Sequence, residues 1–356
     1  GSVTVNADNS GQTVTQGSGS AVPDEAPVIT QRESSVETGN TITINAAENA
    51  TANVTISDVN INTSDAAVST SGKGNVNIEL DGTNTLKSGV NHAGLEKNSD
   101  GNQGKLTITD ENENGKLIAT GGNGAAGIGG GLYAGGNDIT IIGGEITATG
   151  GECGAGIGGG FYTGGNDITI AGGKVTATGG DYGAGIGGGF FGNGNDITIT
   201  GGKVTATGGD YGAGIGGGNQ GNGSNITITD GEVAATGGTN GAGIGGGLRK
   251  NGEKITVSGD ATLKVQGGPT DTWDGAGAGI GNGGSHNGEF SGSFIPVNGA
   301  ETEPDTSNLT TGKIEYYAPG ADMTKDEPTS TILGSGQPTS PGETAAPVEY
   351  RMQTSA

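Results

Sequence analysis

The side chains of this 356-residue chain with the greatest chemical reach are aromatic and acidic, and they recur at one fixed interval. Tyr133, Tyr162 and Phe191 stand 29 residues apart, as do Leu132, Phe161 and Phe190 just before them. Tyr182 and Tyr211 repeat at the same interval beside the acidic row Glu152, Asp181 and Asp210. Aromatic faces stack on sugar rings and carboxylates accept from hydroxyls. An edge carrying Tyr133, Tyr162, Tyr182, Tyr211, Asp181 and Asp210 is therefore a candidate polysaccharide-binding groove. The alternative is structural: the rings close turns by stacking on one another.

A second constellation suits a hard cation. The pairs Asn137-Asp138, Asn166-Asp167 and Asn195-Asp196 sit at turns of consecutive repeats. Parallel pairing would bring their carboxylates to steps of roughly 4.8 Å. Asp138, Asp167 and Asp196 are thus candidate Ca²⁺ ligands, since calcium takes carboxylate and carbonyl oxygens. The segment Asp271-Thr272-Trp273-Asp274 lies in a longer repeat. Its oxygen-bearing positions 271, 272 (a threonine) and Asp274 are further metal candidates, and Trp273 is a candidate sugar platform or a plug under a loop. One cysteine, Cys153, excludes an internal disulfide, and no Cys/His group has zinc spacing.

Other chemistry is weakly represented. Gly154-Ala-Gly156-Ile-Gly158-Gly159 fits a dinucleotide fingerprint by letter, yet it recurs in every repeat with no helix after it. Lyases and hydrolases of polysaccharides need clustered carboxylates or a base beside a metal, and the regular repeats offer single charges. His92 and His286 are far apart and read as solvated loop residues. The chain is expected not to be an enzyme. Thr147/Thr149, Thr176/Thr178 and Thr205/Thr207 form rows similar to ice-binding surfaces, but the pattern stops at Ala234.

The elements that position these residues follow from the period. Ile128, Ile157, Ile186, Ile215 and Ile244 each centre a Gly-Ile-Gly-Gly-Gly string at 29-residue steps; the next, Ile280, comes after 36, leaving an insertion of seven around Pro269 to Gly275. Each unit holds three β-like segments, as in Ile168–Ile170, Val175–Thr178 and Ala184–Ile186, bounded by Gly, Asn or Asp. Alternation turns Ile168, Ile170, Val175, Ala177 and Ile186 inward and Thr169, Thr176 and Thr178 outward. Glycines on both sides of each Ile are expected at positive φ. The predicted fold is all-β: a right-handed parallel β-helix, three-sided, of about eight coils. The row Glu145, Lys174, Lys203, Glu232 is expected to pair charges at both ends, with one Lys-Lys contact between.

Looser copies at 53–56, 75–78 and 105–108 extend the pattern upstream. The expected organisation is an N-terminal cap or linker over 1–38, a β-helix over 39–290, and a C-terminal cap with a Pro/Thr-rich linker over 291–356. Composition agrees with a thin repeated core: 81 glycines, 29% hydrophobic and 4% aromatic residues. A net charge of −23 disfavours nucleic acid and anionic membrane surfaces. No apolar run is long enough to insert in a membrane, and Gly1-Ser2 reads as a tag scar downstream of a removed export signal.

With these strings in view, the Val-Thr-Ile and Leu-Thr-Ile strands of 53–110 and the Gly-Ala-Gly-Ile-Gly-Gly-Gly coils of 122–284 resemble the glycine-rich parallel β-helix surface proteins of gut Firmicutes, a carbohydrate-binding-domain, pectate-lyase-like non-catalytic family. The resemblance implies an extracellular, secreted or wall-attached protein, and includes a Ca²⁺-using binder of acidic polysaccharide. The expected function is adhesion to plant polysaccharide or mucin glycans through a lateral face. The alternative is a stalk or an adhesin whose partner is a host or bacterial surface protein.

Overall fold

Alternating strands one period apart pair in register because the same side chain recurs at each step. Ile157 lies on Ile186, Ile168 on Ile197 and Val175 on Val204. The computed structural model describes residues 1–99, 103–287 and 295–336. In it each coil contributes one strand to each of three parallel sheets, forming a β-solenoid. In one coil these are Gly165–Ile170, Lys174–Thr178 and the two-residue Ile186–Gly187. The short sheet is called the first face here, the Gly165–Ile170 sheet the second, and the Lys174–Thr178 sheet the third.

The core is a column. Ile168, Ile170, Val175, Ala177 and Ile186 are fully buried, as are their images from Ile128 to Ile280. One apolar cluster runs from Val5 to Ile314. Each buried Ile stabilises by about 1.5–3 kcal/mol relative to exposure, so a narrow column suffices when it is repeated. The upstream coils differ in length: Ile42, Val68, Leu95 and Ile128 are successive partners at intervals of 26, 27 and 33 residues.

Only one of the two glycines around each Ile adopts positive φ. Gly158 and its images lie at φ of 129° to 137°. The glycine before the Ile is required by crowding instead. A Cβ on Gly156 would lie 2.6 Å from the Gly185 oxygen and 2.7 Å from the Thr178 nitrogen. The strand itself is Ile186–Gly187; Ala184, placed in it by sequence, precedes it.

The ends are closed by chain that departs from the repeat. Val3–Asp8 pairs in parallel with Ile42–Ala46, and Gly11–Gln16 folds back on it antiparallel. Buried Gln12 stitches this hairpin to the second face, donating to Asn53 O (3.0 Å) and accepting from Asn53 N–H (2.9 Å). At the other end Lys313–Tyr317 adds a parallel rung to Thr262–Gln266, and antiparallel Ser330–Leu333 covers it. The first face ends against residues 300–302: Thr302 N–H donates to Ile280 O (2.8 Å) and Asn282 N–H to Ala300 O (3.0 Å), while the Glu301 carboxylate accepts from Gly279 N–H (2.7 Å) and Ile280 N–H (3.0 Å), as another strand would. These devices blunt edges that would otherwise template end-to-end pairing. The residue 290/291 boundary and the linker over 337–356 lie outside the described residues.

The third face carries the anticipated charge row. Glu145 pairs with Lys174 (2.9 Å) and Lys203 with Glu232 (2.9 Å), leaving Lys174 beside Lys203 in the ladder. Lys116 adds a second contact to Glu145 at 3.6 Å.

Candidate functional site

Because the first-face strand has only two residues, the corners before and after it meet on one edge. Tyr182, before Ile186, packs on Phe190, after it, with ring centroids 5.0 Å apart. The corners are tied coil to coil by backbone bonds such as Phe190 N–H to Cys153 O (2.9 Å) and Asn219 N–H to Tyr182 O (2.9 Å). Seven rings join into one cluster along this edge: Tyr133, Phe161, Tyr162, Tyr182, Phe190, Phe191 and Tyr211.

The rings of successive coils face one another. Tyr162 and Phe191 are 5.0 Å apart and 12° from parallel; Tyr182 and Tyr211 are 6.2 Å apart and 7° from parallel. Along the ladder a ring face is thus covered by the next ring, and the lateral surface presents edges and phenol groups. Such pairs add about 0.5–1.5 kcal/mol each. Tyr133 and Tyr162 are nonetheless 64% and 55% exposed. Tyr133, Tyr162 and Phe191 also hold φ of 59° to 64°, a left-handed backbone that is uncommon for non-glycine residues, and Gln220 and Arg249 continue the column at 58° and 60°.

Asp181 and Asp210 are exposed beside the tyrosines, as sequence suggested. Burial, then the charges of Asp271 and Asp210, push the Tyr211 phenol above its ordinary pKa. Burial and the charges of Glu152 and Asp181 likewise raise the Cys153 thiol, which disfavours its reactive thiolate.

The Asn-Asp pairs are built differently from the expected turn. Asp138, Asp167, Asp196 and Asn225 occupy left-handed positions (φ 54° to 56°), and in the later coils these are bulges inside the second-face strands. The Asn oxygens point along the ladder rather than outward: Asn137 Oδ1 accepts from Asn166 N–H (2.9 Å) and Asn166 Oδ1 from Asn195 N–H (3.2 Å). The carboxylates remain exposed, one per coil. Partial burial, then Asp138 and Asp196, raise the Asp167 pKa, while Asp196 accepts from the Asn225 amide. Among the described residues no three His, Cys, Asp or Glu side chains are grouped to hold a metal ion.

In the long coil the two acids do different work. Asp271 Oδ1 accepts from Trp273 N–H (2.8 Å) and Asp274 N–H (2.7 Å), shaping an Asx turn that leaves Trp273 55% exposed. Asp274 is buried and already engaged: Arg249 binds it bidentately (2.8 and 2.7 Å), and His286 Nδ1 lies 2.8 Å from its Oδ1. Burial works to raise the Asp274 pKa, but the hydrogen bonds and charges of Arg249 and His286 outweigh it and hold the carboxyl below its ordinary value. His286 therefore departs from the solvated-loop expectation, whereas His92 keeps to a loop, its side chain 38% exposed, and meets Glu96 through Nδ1 at 3.0 Å. Buried Asn240 pins the insertion, donating to Asp274 O (2.9 Å) and Gly275 O (2.7 Å).

Sequence reasoning passed over Asn219, Gln220, Asn240 and Arg249. Their signal was present as a break: 29 residues after Phe190, Phe191 and Tyr211 stand three carboxamides.

A family model described as the beta helix repeat matches residues 113–132, 139–161, 168–190, 197–219 and 226–248. Each of the last four stretches begins at the second-face Ile and ends on the column of Phe161, Phe190, Asn219 and Leu248. No curated protein and no solved structure matches the chain. No helix among the described residues is long and apolar enough to cross a membrane.

Proposed function

We propose that this β-helix repeat protein is an extracellular bacterial surface or secreted adhesion module, without enzymatic activity, that binds glycans along its aromatic corner. The observation that supports this reading is the concentration of seven of the chain's aromatic rings on one edge, with carboxylates in step beside them. The other lateral positions of the regular coils are mainly glycine, threonine and paired charges, which give a ligand little apolar surface. Rings at coil spacing suit a polymer, because several weak contacts along one chain act together. Calcium enters this proposal as a counterion that screens the Asp138, Asp167 and Asp196 row.

The test is a screen of immobilised plant polysaccharides and mucin glycans with and without millimolar Ca²⁺. It is followed by Trp273→Ala and by the double variant Tyr182→Ala/Tyr211→Ala. Saturable binding that weakens by about tenfold in the double variant, with unchanged circular dichroism, is the expected result. Undiminished binding in both variants places the ligand on another face.

A second reading is favoured by the ring-on-ring stacking and by the closed ends: the coils are a stalk, and a surface protein is the partner. It predicts no saturable glycan binding, together with a loss of stability in the double Tyr variant.

A further inference from the structure

Resting on the glycan reading above, the structure also indicates where on the corner contact is made and with which class of glycan. The three aromatic columns stop at consecutive coils of the same stretch: Phe190 is followed one coil on by Asn219, Phe191 by Gln220 and Tyr211 by Asn240. Phe191 stacks on Tyr162 and Tyr211 on Tyr182, and among the described residues no ring of the following coil meets either. The ring ladder therefore ends at this step, with Phe191 37% exposed and Tyr211 half-buried.

Beside them is a polar group with no structural return. Asn219 occupies a column that holds Leu132, Phe161, Phe190 and Leu248 in other coils, where an apolar side chain fits each time. It is only 6% exposed, and among the described residues its Oδ1 accepts no hydrogen bond. Burying a carboxamide without a partner opposes folding, and native structures leave few such groups unexplained. Gln220, next to it, is exposed and held at positive φ. An apolar ring face flanked by carboxamides, which both donate and accept, matches a pyranose with its apolar face and its rim of hydroxyls.

Charge selects among glycans. The carboxylates of Asp271, Asp210 and Asp274 act on Tyr211, and Asp181 lies one coil back. Arg249, the cation that continues the Gln220 column, is taken up by Asp274. A uronic or sialic acid at this point meets like charge, whereas an uncharged sugar does not.

We infer that the step at Asn219 and Gln220 is the ligand-contacting point of the aromatic corner, and that it takes an uncharged glycan, a sugar ring lying against Phe191 and exchanging hydrogen bonds with the Asn219 carboxamide. The test measures binding of cellohexaose, mannohexaose and hexagalacturonate to the full chain and to Asn219→Leu, which copies Leu132 and Leu248. The expected result is binding of a neutral hexasaccharide by the parent, weakened by about tenfold or more in Asn219→Leu, whose melting temperature is equal or higher. Gln220→Ala, at an exposed position, is expected to weaken the same binding and carries the test if Asn219→Leu does not fold. Unchanged affinity in Asn219→Leu, combined with loss in Tyr133→Ala, moves the site to the other end of the ladder; that overturns this inference and leaves the broader reading standing. Tighter binding of hexagalacturonate than of either neutral sugar overturns the ligand class. A lower melting temperature with unchanged affinity makes Asn219 structural and overturns its role. Absence of binding here and in the wider polysaccharide screen removes both readings together.

Discussion

From Ile128 to Ile244 each rung of the first face follows its predecessor by 29 residues, whereas the rung from Ile244 to Ile280 takes 36. The regular coils are held by like on like: Ile on Ile, Asn on Asn, ring on ring. The long coil is held by unlike groups, a buried Asp274 between Arg249 and His286, with Asn240 clamping the backbone around it. Repetition makes each rung interchangeable with its neighbour, so it specifies a scaffold and little else. Position-specific chemistry gathers where the repetition fails, at Asn219, Gln220, Asn240 and the insertion.

The largest effect that sharpens this contrast is expected in the regular column. Ile186→Asp puts an unpaired carboxylate among fully buried aliphatics and is expected to cost several kcal/mol, about 3–5, by denaturant unfolding. A midpoint near that of the parent protein would mean that the side chain escapes the column. Arg249→Ala is expected to cost about 2–3 kcal/mol, less than loss of a fully buried pair because the guanidinium is half exposed. The loss should be local: hydrogen exchange is expected to rise over residues 268–287 and stay unchanged over 139–228. Uniform loss of protection would join the two regions into one cooperative unit.

Acid separates the regions in opposite senses. The folded Asp274 pKa is depressed, so its contribution is present above the unfolded carboxyl value and is lost as pH falls through the lower folded value. The folded Asp167 pKa is raised. Its carboxylate thus opposes folding at neutral pH, and stability is gained as pH falls through that raised value. The insertion is therefore expected to loosen in acid while the coil around Asp167 tightens, read by exchange at pH 7 and pH 3. The smallest effect belongs to Asp167→Asn, expected to raise stability by a few tenths of a kcal/mol, since the group is exposed. It keeps a residue suited to left-handed backbone and should remove much of any stabilisation by Ca²⁺. A calcium effect of unchanged size in this variant would shift the cation's action away from that row.

Much of the scaffold was legible in the amino-acid order. A 29-residue period carrying strand-like alternation admits one economical solution, stacked coils in register, because identical positions then become neighbours and their pairing repeats. The inward set Ile168, Ile170, Val175, Ala177 and Ile186 and the Glu145 to Glu232 charge row follow from that alone. Tyr182 and Tyr211 could likewise be paired from their spacing.

What tertiary structure decided is the relation between columns, since a period fixes distance along the axis and says nothing about the angle around it. That Tyr182 meets Phe190 depends on a first-face strand only two residues long, which folds two corners onto one edge. Whether an Asn oxygen faces solvent or the next coil is settled only in the folded ladder, which takes up the Asn137 and Asn166 oxygens and leaves the Asp138, Asp167 and Asp196 carboxylates exposed. The partners of the Asp274 carboxylate, Arg249 and His286, come from separate stretches of chain on either side of the insertion, brought together only when the long coil closes. Sequence determines contacts that repeat, because each copy restates them; contacts made once depend on how a particular corner packs, and only the folded chain fixes that.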